Sequence, residues 1–229
     1  MLTIGIIDDG IGAFSTLSKL KQAICANYIC RICGEKPSYA KLKISDLYSE
    51  GRKAVEQLVQ MGCNVIVISS VSLSTLCFKN LQQICPVDIY GCEAPVVHAS
   101  TYTASGVLVA GCGRIVNKLR FANVIPCPMD DFYAYAEQCD EKSVVEYISR
   151  KLEPYEGKFD CIAIAESSMN LYKHCFSRVC PNVQIFDSLE GVARRIRKKY
   201  KKFPKEEGFC TVIDDNGEKI NEKFAIFLE

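Results

Sequence analysis

The chain has no excess of charge of either sign. Its 28 Lys and Arg residues face 27 Asp and Glu, for a formal net charge of +1. No bulk field therefore draws it to nucleic acid or to a membrane surface. No apolar run approaches the ~18 residues of a membrane span. The opening Met1-Leu2-Thr3-Ile4-Gly5 lacks the basic region and long apolar core of a signal peptide, so a cytoplasmic location is expected. No low-complexity linker breaks the chain. Histidine is scarce, with 2 in 229 residues. His98 and His174 both fall on expected helices, where surface or satisfied core histidines are the ordinary case. The lone Cys-x-x-Cys, Cys30 to Cys33, has no second pair, so no zinc site is expected from it. No metal and no cofactor are expected.

What the chain does have is cysteine: 14 residues. Even counts suggest disulfides only in short secreted chains. Here most cysteines sit in apolar stretches and read as small core residues of a reducing cell. Hydrophobic content of 48% against 24% charged residues is ordinary for a globular protein.

One design occurs three times. Val65-Ile66-Val67-Ile68 runs into Ser69, Ser70, Ser72 and Ser74. Thr3 to Ile7 runs into Asp8-Asp9-Gly10. Cys161 to Ala165 runs into Glu166-Ser167-Ser168. Each reads as a buried parallel strand with a polar carboxyl end. Ligands of open α/β sheets sit outside such ends. Further strands are expected at Tyr28–Ile32, Pro86–Tyr90, Gly106–Gly111, Val183–Asp187 and Phe209–Ile213, with an extended segment at Val124–Pro128. Helices are expected from Phe14 to Leu20, from Ile44 to a stop at Gly62, and through Leu73 to Cys77. Others are expected at Val96–Ala104, Lys118–Ala122, Lys142–Leu152, after residue 168, from Ser188 to Tyr200, and at Glu218–Leu228. Residues 34–43 read as a loop. This alternation implies α/β architecture with mainly parallel sheets flanked by helices, in two like-ordered lobes. The basic run Arg194, Arg195, Arg197, Lys198, Lys199, Lys201 and Lys202 ends a helix, where cations suit the dipole. It lacks the aromatic interleaving of a nucleic-acid site.

Taken together, these segments resemble the aspartate/glutamate racemase superfamily, and glutamate racemases in particular. TIGIIDDGIGAFSTL at 3–17 resembles the family's opening strand and D-S-G-x-G-G turn. NVIVISSVSLST at 64–75 resembles the strand ending in A-C-N-T-A. CPVDIYGCEAP at 85–95 resembles I-P-V-I-G-V-I-E-P. Residues 125–128 resemble the family's A-C-P region. DCIAIAESSMNLY at 160–172 stands where D-x-x-V-L-G-C-T-H-Y-P-L-L is expected, and DSLEGVARRIRK at 187–198 resembles the following signature. The resemblance spans essentially the whole chain in order. It implies two lobes, 1–97 with 206–229 and 98–205, and a pocket between them for a small polar acid or amino-acid-like ligand. It also implies cofactor-independent chemistry, with a homodimer as the candidate assembly.

The family takes a proton from one face of the α-carbon and returns one to the other, using two cysteines. Here the first cysteine's place holds Ser70 and the second's holds Glu166. Val71 and Ser72 follow the first; Ser167 and Ser168 follow the second. The opening turn's Ser becomes Asp9, the P-Y-G loop becomes Ser38-Tyr39-Ala40, and Cys112 stands where a threonine is expected. Of the acid/base set Asp8 remains. A hydroxyl is a far weaker acid than a thiol of free pKa ~8.5, and needs another group to take its proton.

The resulting assignment makes Asp8, Glu166 and Ser70 catalytic and Asp9, Tyr39, Ser72, Ser167, Ser168 and Cys112 substrate-binding. Each has a plainer alternative: turn or helix capping for the Asp and Ser residues, tight-turn packing for Cys112, loop packing for Tyr39. Three functions follow. The first is isomerase- or lyase-type chemistry on a small polar acid without the two-thiol route. The second is a non-catalytic binder on the same scaffold. The third is a surviving glutamate racemase, which the missing thiols disfavour.

Overall fold

The computed structural model describes residues 1–33, 38–103, 105–120, 122–200 and 208–228. Residues 34–37 of the expected loop, Ala104 and Phe121 of two expected helices, and Lys201 and Lys202 of the basic run lie outside the described residues. The chain divides into two compact units, Met1–Cys92 with Leu189–Glu229, and Glu93–Ser188.

In the first unit the strands are β1 (Thr3–Asp8), β2 (Asn27–Ile32), β3 (Val65–Ile68) and β4 (Asp88–Gly91), with α1 (Gly12–Ala23), α2 (Ile44–Gln60) and α3 (Val71–Ile84) between them. In the second, α4 (Val96–Tyr102) precedes β5 (Val107–Gly111), α5 (Gly113–Val116), β6 (Val124–Pro128), α6 (Phe132–Ala136), α7 (Glu141–Leu152), β7 (Cys161–Ala165), α8 (Lys173–Val179) and β8 (Gln184–Phe186). The chain then returns to the first unit with α9 (Leu189–Lys199) and β9 (Cys210–Ile213).

Among the described residues the first sheet runs β4-β3-β1-β2-β9 and the second β6-β5-β7-β8, all pairs parallel. Strands β1, β3, β5 and β7 are buried along their whole length, because helices cover a parallel sheet on both faces. Each buried Ile or Val there contributes about 1.5–3 kcal/mol relative to exposure. The run of β-branched residues follows directly from that enclosure. Backbones also approach closely. A Cβ on Gly111 would lie 2.6 Å from the Ala165 carbonyl oxygen across the β5–β7 pair.

Three expected features differ. The first unit resumes at Leu189 rather than at 206. Lys19 pairs with Glu190, and Lys199 Nζ and Tyr200 OH each reach Asp88 at 2.6 Å, which ties α9 to α1 and β4. No helix forms over Lys118–Arg120. The turn ends where Arg120 donates to the carbonyls of Asn117 and Leu119 at 2.7 and 3.1 Å. The final segment is a 3-10 turn over Asn221–Phe227, not an α-helix. The segment is kinked at Phe224, and Phe224 and Phe227 both pack on Phe14, at 5.2 and 4.8 Å between ring centroids.

Gly111→Ala should lose about 1–3 kcal/mol, the cost of overpacking a close backbone contact, as a lower denaturation midpoint with an unchanged m-value. Asp88 offers a pH test. Hydrogen bonds from Lys199 and Tyr200 hold its carboxyl below the usual range. Its contribution is therefore present above the ordinary Asp value of ~3.9 and lost as pH falls through the lowered folded value. The stability gap between wild type and Asp88→Asn should narrow as pH is lowered through that window.

Candidate functional site

Each sheet reverses its winding at one place. In the first, β1 leads to β2 on one side and the chain then crosses to β3 on the other. In the second, β5 leads to β6 and then crosses to β7. Such reversals open a crevice at the strands' carboxyl ends. The β1–β3 register pairs Ile7 with Ile68, so Asp8 and Ser69-Ser70 emerge side by side. The β5–β7 register pairs Gly111 with Ala165, so Cys112 and Glu166 do the same. The pattern of strand ends noted in the sequence thus falls on the switch point of each unit.

In the first unit Asp8 is 2% exposed, and its Oδ1 accepts from the Gly10 amide at 3.1 Å. It braces the turn and does not cap α1, whose first residue is preceded by Ile11 with no side-chain cap. Ser70 caps α3 by accepting from the Leu73 amide at 3.4 Å, and its backbone amide and that of Ser69 donate to the Ile7 carbonyl. Ser72 is buried in the first turn of α3.

Asp9 has a different task. Its Oδ2 accepts from Ser38 Oγ and the Tyr39 amide, both at 2.7 Å, and so holds the 38–39 segment against the β1 end. Tyr39 is enclosed, with its hydroxyl taking a hydrogen bond from Arg31 Nη1 at 3.0 Å and one from Cys33 Sγ at 3.4 Å. Burial pushes both the Tyr39 hydroxyl and the Cys33 thiol up. Asp9 and Tyr39 are thus engaged in packing this loop. Arg31 is 1% exposed and also reaches Gln57 Oε1 at 3.3 Å and Glu50 at 3.8 Å. A guanidinium is tolerated in a core only when paired in this way.

In the second unit Cys112 is 7% exposed and stands at the start of α5. Burial pushes its thiol up; the Arg114 amide opposes this, and Asp130 and Glu166 add to it. Glu166 Oε1 accepts from the Ser167 amide at 3.2 Å and faces Ser167 Oγ at 3.4 Å. Ser168 is 1% exposed, and its Oγ has no hydrogen-bond partner among the described residues; nor has Asn170 Oδ1. A buried hydroxyl left without a partner costs about 1–3 kcal/mol and marks a place for a bound polar group or water.

Sequence reasoning missed several participants. Asp130 accepts from the Gly113 amide at 2.8 Å and so fixes the loop beside Cys112. Ser69 Oγ lies 2.8 Å from Thr16 Oγ1. Ser74 donates to the Ile68 carbonyl and accepts from the Cys92 amide, both at 3.0 Å. Ser69 and Ser74 belong to the hydroxyl cluster already noted; Asp130 sits in a loop whose sequence carries no period. A cavity of about 840 Å³ in the second unit lies at the other end of the strands, lined by Val145, Leu152, Phe159, Pro181 and Val183. It includes none of the residues assigned above.

The two carboxylates near Cys112 give a signed expectation. Removing either negative charge eases thiolate formation. Asp130→Asn and Glu166→Gln should each lower the pH at which Cys112 becomes alkylated. Peptide-resolved mass spectrometry across a pH series reads this; an unmoved midpoint in both variants contradicts the placement.

No family model matches the chain. It is 21% identical over 235 residues to a glutamate racemase of Halothermothrix orenii, covering 96% of this chain and 91% of that protein. The glutamate racemase structure from Campylobacter jejuni superposes with a TM-score of 0.80 at 12% identity, covering 99% and 96% of the two chains. That of Escherichia coli glutamate racemase, in complex with L-glutamate and the activator UDP-MurNAc-Ala, superposes with a TM-score of 0.75 at 16% identity, covering 93% and 88% of the two chains. By sequence the chain is a distant relative of glutamate racemases, and by fold it shares the α/β architecture of the aspartate/glutamate racemase superfamily.

Proposed function

We infer that this chain is a divergent member of the racemase superfamily that binds a small polar acid and acts on it by isomerase- or lyase-type chemistry without two thiols. The observation that carries this reading is the chemistry of the switch points. Asp8 with Ser70 stands at one and Glu166 with Cys112 at the other. In this reading Asp8 and Glu166 are the acid/base residues. Carbon-acid chemistry needs a base within reach of the proton and a second group to return or deliver one. A carboxylate serves best where water is excluded, and Asp8 is buried at 2% exposure.

The hydroxyls complete the proposal. Ser70 spends its oxygen on the Leu73 amide, which leaves its proton to donate to a substrate carboxylate. Ser168, buried without a partner among the described residues, offers the same function in the second unit. Ser72, Ser167 and Cys112 shape the walls, while Asp9 and Tyr39 act by fixing the 38–39 segment. The substrate class is supported by the L-glutamate bound to the Escherichia coli neighbour.

Two other readings have observations in their favour. Ser70 and Asp9 already serve structural roles, which suits a binder that has lost turnover. The named activity of the sequence relatives favours glutamate racemisation itself.

One set of measurements separates the three. A panel of small dicarboxylates and acidic amino acids should raise the melting temperature with at least one compound, since a ligand of the native state stabilises it. With that compound, Asp8→Asn and Glu166→Gln should each cut turnover by roughly 10²-fold or more, the scale of a general acid or base. Intact turnover in both variants rejects the assignment. Stabilisation without any turnover supports the binder. Incubation with L- and D-glutamate in deuterated water should give no α-deuteration above buffer; clear incorporation would restore the racemase reading.

A further inference from the structure

Away from the strand ends, three donor side chains of the second unit converge where α7 meets α8. Glu141 opens α7, and His174 and Cys175 stand in the first turn of α8. His174 Nε2 lies 2.9 Å from Glu141 Oε1 and 3.3 Å from Cys175 Sγ, and all three donor atoms lie within 4.8 Å of one another. We propose that Glu141, His174 and Cys175 form a binding site for one thiophilic divalent cation of the zinc class.

The first reason is that a single nitrogen is over-subscribed. Both the carboxylate oxygen and the sulfur address the same Nε2. A catalytic relay would place them on opposite ring nitrogens. One imidazole nitrogen can donate or accept a proton but cannot do both at once. A cation among the three atoms lets every one act as a donor of electrons.

The second reason is distance. Zinc bonds of about 2.3 Å to sulfur and about 2.0–2.2 Å to nitrogen and oxygen place tetrahedral ligands roughly 3.3–3.6 Å apart. The two spacings to His174 Nε2, 2.9 and 3.3 Å, need only a small outward adjustment, and the third pair lies within 4.8 Å. Successive helical residues ordinarily point about 100° apart, so the approach of His174 to Cys175 is itself unusual.

The third reason is that the frame is held. Asp140 caps α7 by accepting from the amides of Lys142 and Ser143 at 3.2 and 3.3 Å, which fixes Glu141 in the first turn. Cys139 takes a left-handed backbone, φ 53°, to bring the chain round to that cap. Tyr172 OH donates to the Ala136 carbonyl at 2.7 Å, tying the start of α8 to α6. The nearest cation on the carboxylate, Arg178, takes its other oxygen, Oε2, at 3.4 Å and leaves Oε1 toward His174.

Burial is graded across the group. Cys175 is enclosed, whereas the side chains of His174 and Glu141 are 49% and 53% exposed. An ion can therefore enter from solvent, and water completes its fourth position. On binding, the Cys175 S–H bond breaks, the sulfur–metal bond forms, and the proton passes to water. Bound there, the ion cross-links α7 to α8.

The test uses the full chain, reduced and stripped of metal. Titrated with Co²⁺ alone, it should bind one equivalent with the near-ultraviolet charge-transfer band of a thiolate ligand and the visible bands of tetrahedral cobalt, and Zn²⁺ should abolish both. His174→Ala, at a half-exposed position, and Glu141→Gln should each weaken binding by at least about tenfold, since even outer-shell partners are worth about 10–100-fold. Cys175→Ser should remove the charge-transfer band. If that buried variant does not fold, the His174→Ala titration decides alone. No binding by the wild type overturns the proposal. So does unchanged affinity and band in His174→Ala, which would place the ion on other thiols of this cysteine-rich chain.

Discussion

The parallel pairing of β1 with β3 and of β5 with β7 is the constraint on which the rest of the structure depends. A parallel neighbour can be reached only by a crossover, and the crossovers must cover both faces of the sheet. Covered strands favour apolar residues and admit a polar one only when it is paired, as Arg31 of β2 is, so most polar residues collect where the backbone leaves the sheet. That is why Asp8 closes β1 and Ser70, Cys112 and Glu166 follow the carboxyl ends of β3, β5 and β7. The register then does the selecting. A shift of one residue between β5 and β7 would separate Cys112 from Glu166 and drive the Gly111 backbone against a different neighbour.

The serines show how little a side chain's type says about its use. Ser69, Ser70, Ser74 and Ser168 are all buried. Three of them have partners within the fold: Thr16 for Ser69, the Leu73 amide for Ser70, and the Ile68 carbonyl and Cys92 amide for Ser74. Ser168 has none among the described residues. A hydroxyl that accepts from a helix amide still carries a proton to donate, so capping and ligand binding are compatible at Ser70. Asp9 is used differently, its Oδ2 meeting two donors at once.

Much of the fold was legible in the sequence because strand periodicity here is extreme. Val65–Ile68 and Cys161–Ala165 contain no polar residue, and Gly62, with φ of +85°, marks the end of α2 as a glycine should. What escaped was tertiary in origin. The last segment has helical propensity, yet it forms a kinked 3-10 turn whose two phenylalanines pack on Phe14. Arg31 reads in sequence as a polar interruption of a strand; only the meeting of Tyr39, Gln57 and Glu50 around it explains a buried guanidinium. Asp130 could not be found from its neighbours, since its role is set by the Gly113 amide, 17 positions away. The packing of Tyr39 could be read from its loop, but its partners Arg31 and Cys33 could not.

The return of the chain to its first unit carries a consequence for how the protein is made. Strand β2 is completed by β9, and the hydrogen bond from the Phe209 amide to Asn27 joins positions 182 apart. At about 5–20 residues per second, roughly 10–40 s pass between the synthesis of those two partners. The second unit is one continuous segment and can close its sheet in that interval. For the same interval one side of β2 is an open edge of backbone donors and acceptors, the kind of edge that recruits foreign strands. A nascent chain of this topology therefore meets its greatest risk of mispairing before its last strand has left the ribosome.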